Sequence, residues 1–160
     1  MLGVGTGGSL RGTAEALRLH DRAIRIVAVE PAESPVLSGG APGANRIEGI
    51  GMGFVVPLWK PDLVDEIIPV SASDAMAMSR RLAREEGLFA GASSGANVVA
   101  ALRLAERLGP DATVVTPDDR HRHQIPEHRG LQSALSKGRG RPEKVRGLQA
   151  WPFWCARPAW

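Results

Sequence analysis

The run Gly3-Val4-Gly5-Thr6-Gly7-Gly8-Ser9 constrains the fold of this chain more than any other stretch, because a helical apolar pattern, Leu10, Ala14 and Leu17, begins directly behind it. Glycines carry no Cβ and admit φ > 0, so several backbone N–H groups can converge, and the positive end of the helix dipole points at the same spot. A loop of this kind cradles phosphate. Glycine clusters also make plain turns, but the hydroxyls of Thr6 and Ser9 each add a donor where anion-facing donors are useful. Two ligand readings fit. Gly3-x-Gly5-x-x-Gly8 matches the dinucleotide fingerprint, with Glu30 about 20 residues on, where a ribose-binding acid is expected. Contiguous Gly5-Thr6-Gly7-Gly8-Ser9 is equally a compact cup for a single phosphate.

The pattern downstream alternates between strand and helix. A helix is expected over about 9–19, and Ile24 to Val29 reads as a buried strand of a parallel sheet, ended by Glu30-Pro31. The segment 34–57 is rich in Gly and Pro and lacks a sustained period, so it reads as a long, functional loop. A short strand is expected at 66–70, then a helix capped by Ser71 or Ser73, with apolar positions Ala75, Met78 and Leu82 and a stop at Gly87. Gly91-Ala92-Ser93-Ser94-Gly95-Ala96 makes a second small-residue turn that opens another helix, whose apolar face ends at Gly109-Pro110. Ala112 to Thr116 reads as a last strand. This alternation predicts an α/β domain built on a parallel sheet with helices on both faces, and no internal repeat appears.

At 160 residues and 43% hydrophobic content the chain can build one domain with a real core. It has no apolar run long enough to span a membrane, and its start has no signal-peptide pattern, so the expected location is the cytoplasm, with no membrane partner. The lone cysteine, Cys155, can form no internal disulfide and agrees with a reducing compartment. The net charge of +3 hides an asymmetry. Residues 1–119 carry 11 Lys/Arg against 15 Asp/Glu, whereas residues 120–160 carry 9 against 2 and three of the four histidines. Such a basic, Trp-bearing tail could be read as a nucleic-acid arm. His121 and His123 alternate with arginines, whose charge disfavours a metal site, and none is assigned.

Five stretches together resemble one family. Val4-Gly5-Thr6-Gly7-Gly8-Ser9, Val29-Glu30-Pro31-Ala32-Glu33-Ser34, Leu37-Ser38-Gly39-Gly40, Ile47-Glu48-Gly49-Ile50-Gly51-Met52-Gly53-Phe54 and Gly91-Ala92-Ser93-Ser94-Gly95-Ala96 are similar, in order and spacing, to the C-terminal half of the cysteine synthase (O-acetylserine sulfhydrylase) family. These are pyridoxal 5'-phosphate (PLP) enzymes of the tryptophan-synthase β-like fold. Five ordered motifs outweigh one glycine fingerprint, so the PLP reading displaces the dinucleotide one, and Glu30 becomes an ordinary strand-end residue. The resemblance implies that Gly5, Thr6, Gly7, Gly8 and Ser9 hold the cofactor phosphate and that Ser93 hydrogen-bonds the pyridine nitrogen. A hydroxyl partner does not hold that nitrogen protonated, which moderates electron withdrawal and suits β-elimination and β-replacement. Ser93 has a competing reading as the N-cap of the helix that follows. Gly49, Ile50 and Gly51 resemble the loop lining the substrate side of the cofactor.

The resemblance implies β-replacement on O-acetylserine by sulfide to give cysteine. Cystathionine β-synthase is the nearest enzymatic rival, and a non-catalytic remnant or a binding module with a basic nucleic-acid-binding tail is the alternative of another class. A lysine is essential in the family, as covalent partner of the cofactor and as the group that moves the α-proton. The lysines here are Lys60, Lys137 and Lys144, and none stands in the family's lysine context. No catalytic residue is assigned, and the chain is expected to be a fragment, 1–119, inactive alone, marginally stable, and suited to a complementary N-terminal half or a homodimer. Beyond Pro117-Asp118 the family continues with a segment like Gly-Thr-Lys-Tyr-Leu-Ser-Thr. Here Arg120 to His128, written in synonymous codons as CGG CAC CGG CAC CAA ATA CCT GAG CAC, read one base later gives Gly-Thr-Gly-Thr-Lys-Tyr-Leu-Ser-Thr. The expectation is a frameshift near Asp119 and a disordered, out-of-frame tail over 120–160 that binds no nucleic acid.

Overall fold

The computed structural model describes residues 1–117 and the backbone of a strand at 153–156. Strands β1 (Leu2–Gly3), β2 (Val27–Pro31) and β3 (Glu66–Val70) form a parallel sheet in that order. Their connections are helix α1 (Gly8–His20) and the long segment between β2 and β3, which holds only one 3-10 turn at Pro61–Leu63. Two further helices, α2 (Ala72–Glu85) and α3 (Ala92–Leu108), lead to β4 (Val114–Pro117).

Side-chain alternation along the strands assigns the helices to opposite faces. From β2, Ala28 joins Val4, Leu10, Ala14 and Ile26 under α1, whereas Val27 and Val29 face the other way. There they pack with Ile68, Val70, Ala75, Ala96, Ala100 and Leu104 beneath α2 and α3. The expected α/β sheet with helices on both faces is thus present. All five residues of β2 are buried, as befits the central strand of a parallel sheet.

The third strand, the α2 start and the helix stops follow the sequence closely. Ser71 caps α2, its Oγ accepting the Asp74 amide at 3.1 Å, and Glu33 Oε1 accepts the Ala72 amide at 2.8 Å. Gly87, at φ 67, lies just beyond the helix. Strand β2 starts three residues later than expected and takes in Glu30 and Pro31, because its ladder with β3 runs through Glu30↔Pro69 and Pro31↔Val70. The last strand differs in partner as well as bounds. β4 lies beside Met1, whose amino group donates to Val115 O at 2.8 Å, but its ladder is antiparallel, with β5 (Phe153–Ala156). The remainder of the basic tail, with Arg120, His121, His123, Lys137 and Lys144, lies outside the described residues. No described helix is long and apolar enough to cross a membrane.

Candidate cofactor site

Beyond β1 the chain turns through Gly5, Thr6 and Gly7 into α1. Gly7 is buried and takes φ 85, a conformation natural only to glycine, and occupies the N-cap position. No side chain caps this helix, and its first turn has no acidic residue. The one nearby side-chain acceptor is Thr6 Oγ1, a long 3.5 Å from the Gly8 amide. Thr6 and Ser9 are both exposed. The result is a helix N-terminus with no carboxylate, two exposed hydroxyls beside it and the Leu58–Trp59 backbone packed close to Gly7, and an uncapped helix start of this kind is the chemistry that takes a phosphate.

The glycine segment at 49–51 is brought directly against this loop. Gly51 N–H donates to Val4 O at 3.0 Å. A Cβ on Gly5 would stand 2.3 Å from Gly49 O, so the two backbones touch in a way only glycine permits at position 5. Gly49 and Gly51 have φ 88 and 71. Asn45, which the sequence alone did not single out, holds the segment in shape. Its Nδ2 donates to Ile50 O at 2.6 Å and more weakly to Ile47 O and Gly51 O, and its Oδ1 accepts the Ile47 amide at 2.8 Å. An Asn four residues before a glycine-rich run, able to accept the amide two residues on, is a turn signal that could have found it.

Ser93 is buried at the second position of α3. The N-cap is Gly91, and no side chain caps the helix, so the capping reading of Ser93 fails. Helix α3 meets the end of β1 one turn further on: a Cβ on Gly3 would lie 3.3 Å from Asn97 Oδ1 and 2.8 Å from Ile50 Cγ2. The structure therefore gathers the 5–9 loop, the 49–51 segment and the head of α3 around the C-terminal end of β1. Ligands of open α/β sheets lie at that end of the strands.

Glu30 proves more than a strand-end residue. It is 1% exposed, and its carboxylate accepts the Leu37 amide at 2.9 Å and the Ser38 hydroxyl. Both oxygens are thus spent on fixing the start of the long segment, which leaves neither for a ribose. A narrow crevice beside Gly5, lined by Val4, Glu30, Leu37, Gly51 and Phe54, separates that segment from the loop. Lys60, by contrast, is a surface residue paired with Glu15 at 3.3 Å. No cluster of His, Cys, Asp and Glu among the described residues could hold a metal.

The sequence profile of the pyridoxal-phosphate dependent enzymes matches residues 1–117. The chain belongs to that family. Over 116 residues this family member is 49% identical to the cysteine synthase of Staphylococcus aureus, covering 72% of the present chain and 37% of that protein. The crystal structure of cysteine synthase (OASS) from Entamoeba histolytica matches with a TM-score of 0.64 at 46% identity, over 65% of this chain and 31% of that one. An O-acetylserine dependent cystathionine beta-synthase from Helicobacter pylori matches with a TM-score of 0.63 at 43% identity, over 67% and 35%. The chain thus spans little more than a third of the length of the curated relatives it matches. The cofactor of the family is pyridoxal phosphate, and the uncapped, carboxylate-free start of α1 fits its phosphate.

Proposed function

We propose that residues 1–117 form the phosphate-cradling and ring-nitrogen side of a PLP site in an enzyme that makes cysteine from O-acetylserine and sulfide. The observation that carries this reading is the free N-terminus of α1 behind Gly5–Ser9, with the 49–51 segment against it and Ser93 buried at the head of α3. Amides of Gly5, Gly7 and Gly8, with the Thr6 and Ser9 hydroxyls, bind the phosphate, and the helix dipole adds to its hold. Ser93 Oγ donates to the pyridine nitrogen without protonating it. Gly49, Ile50 and Gly51 line the side from which an amino-acid substrate approaches, where the missing side chains of the glycines leave room. Bound there, PLP supplies the electron sink for β-elimination and β-replacement.

A lysine-bearing complementary portion completes the working enzyme, which can pair further as a homodimer, and the cytoplasm is its expected place. Cystathionine β-synthase chemistry is the second reading, supported by the likeness to the Helicobacter pylori enzyme, whose substrate is also O-acetylserine.

Equilibrium dialysis of the chain against PLP, with inorganic phosphate as competitor, tests the cradle. A Ser9→Asp variant puts a carboxylate in the first turn of α1, which favours the helix but repels phosphate. The expected outcome is PLP retention that phosphate displaces and that Ser9→Asp weakens by about tenfold or more while α1 gains stability. Retention untouched by both phosphate and Ser9→Asp would sink the assignment.

A further inference from the structure

Asn97 is fully buried, and neither its Oδ1 nor its Nδ2 has a hydrogen-bond partner. A buried amide without partners is costly, and among natural proteins such groups are rare enough to ask what they serve. Its Oδ1 faces the end of β1, 3.3 Å from where a Cβ on Gly3 would stand. Ala96, Val98 and Val99, its neighbours on the helix, are all apolar. Packing alone gives no reason for an amide at this position.

Its place on α3 supplies one. Residues four apart share a helix face, and side chains lean toward the helix N-terminus, so Asn97 lies one turn behind Ser93 and reaches toward it. Ser93 is buried too. We propose that Asn97 is a positioning residue for Ser93: its Nδ2–H donates to Ser93 Oγ when PLP is seated, turning the hydroxyl proton toward the pyridine nitrogen. A hydroxyl that accepts a bond from behind has its own proton free to point away from the donor, which is the orientation an unprotonated ring nitrogen needs. The two side chains are not bonded to each other in the structure. Such bonds often tighten only when the ligand is in place. The proposal rests on the PLP reading given above.

A double-mutant cycle tests it, with Asn97→Ala, Ser93→Ala and the double variant compared for PLP affinity by dialysis and for unfolding midpoint without PLP. The midpoint of Asn97→Ala is expected at or above that of the parent, since two unpaired buried polar groups are removed. PLP affinity is expected to fall about tenfold in Asn97→Ala, the equivalent of one hydrogen bond, and to show no further fall when Asn97→Ala is added to Ser93→Ala. A lowered midpoint with unchanged affinity would make Asn97 merely structural and overturn the inference. So would equal losses in the two backgrounds, which would place Asn97 in contact with some other group. Parent chain that binds no PLP would remove the PLP reading and this inference together, whereas binding abolished by Ser9→Asp but untouched by Asn97→Ala would remove only the latter.

Discussion

Asn45 is the residue on which the geometry of the 49–51 segment turns. One side chain meets the Ile47 amide and the carbonyls of Ile47, Ile50 and Gly51, and Ile47 itself is buried, so its amide has no water to fall back on. Asn45→Ala should therefore cost about 1–2 kcal/mol and speed hydrogen exchange at the Ile47 and Gly51 amides by about tenfold, while amides of α2 keep their protection. Exchange read by NMR decides, and unchanged rates at those two amides would refute the clamp. A second residue, Asp65, ties α1 to the sheet through Arg18 at 2.9 Å and the Ile26 amide at 2.6 Å. Burial pushes its carboxyl upward, but the Ile26 amide and the Arg18 guanidinium outweigh that and hold it below the usual carboxylate range. A lowered value means that the stabilisation is present above the ordinary carboxylate pKa, about 3.9, and is lost as pH falls through the folded-state value. Asp65→Asn should then cost roughly 1 kcal/mol near neutral pH, discounted for its partial exposure, and nothing measurable in strong acid. Urea midpoints of the two proteins against pH would show the gap closing on acidification. At this scale the sequence was legible where a residue type has one use, as with glycine at position 7. It was opaque for Glu30 and Asn97, whose importance comes from burial by distant segments.

Among the elements, the contact between α2 and α3 depends on Gly95. A Cβ there would stand 2.1 Å from Ala75 O and 3.0 Å from Ser79 N, both backbone atoms that cannot move without the helix. Gly95→Ala should destabilise the domain by about 2–3 kcal/mol despite alanine's better helix propensity. Gly12, in the exposed part of α1, has nothing within 4 Å of an added Cβ. There the same substitution should stabilise by about 0.5–1 kcal/mol. Opposite signs in thermal melts of these two variants are the expected result, and equal signs would discard the packing argument. The helices and β3 were readable because capping, periodicity and glycine stops act locally: Ser71, Leu82 and Gly87 bound α2 by themselves. Strand β2 was misplaced by three residues because its limits are set by its ladder with β3, about forty residues away, and Pro31 stands as the last residue of that ladder. The partner of β4 was illegible for the same reason, since pairing to residues 153–156 leaves no periodic mark at 114–117.

For the whole molecule, the decisive matter is the lysine. Cofactor chemistry of this family needs an amine that bonds to PLP and carries the α-proton. Lys60, the one lysine among the described residues, stands at the surface between Trp59 and Pro61, just ahead of the 3-10 turn, with its Nζ 3.3 Å from Glu15 Oε1. Glu15 is also bonded by Arg11 at 2.9 Å, and these two cations hold its carboxyl below the usual range, so at neutral pH it remains the charged partner of Lys60. That ion pair lies on the α1 flank, and nothing places Lys60 among the 49–51 segment and Ser93. The chain by itself should accordingly bind PLP through its phosphate without covalent linkage. Borohydride reduction of the PLP-loaded chain, followed by peptide mapping, should leave Lys60 unmodified, and the same preparation with O-acetylserine and sulfide should form cysteine no faster than free PLP does. Lys60→Ala should change neither PLP retention nor that background rate, and should leave the melting midpoint essentially unmoved, since an exposed ion pair contributes little. A trapped adduct on Lys60 with turnover above free PLP, lost in Lys60→Ala, would instead make this surface lysine the catalytic amine, brought to the site by Leu58 and Trp59, which already lie against Gly7.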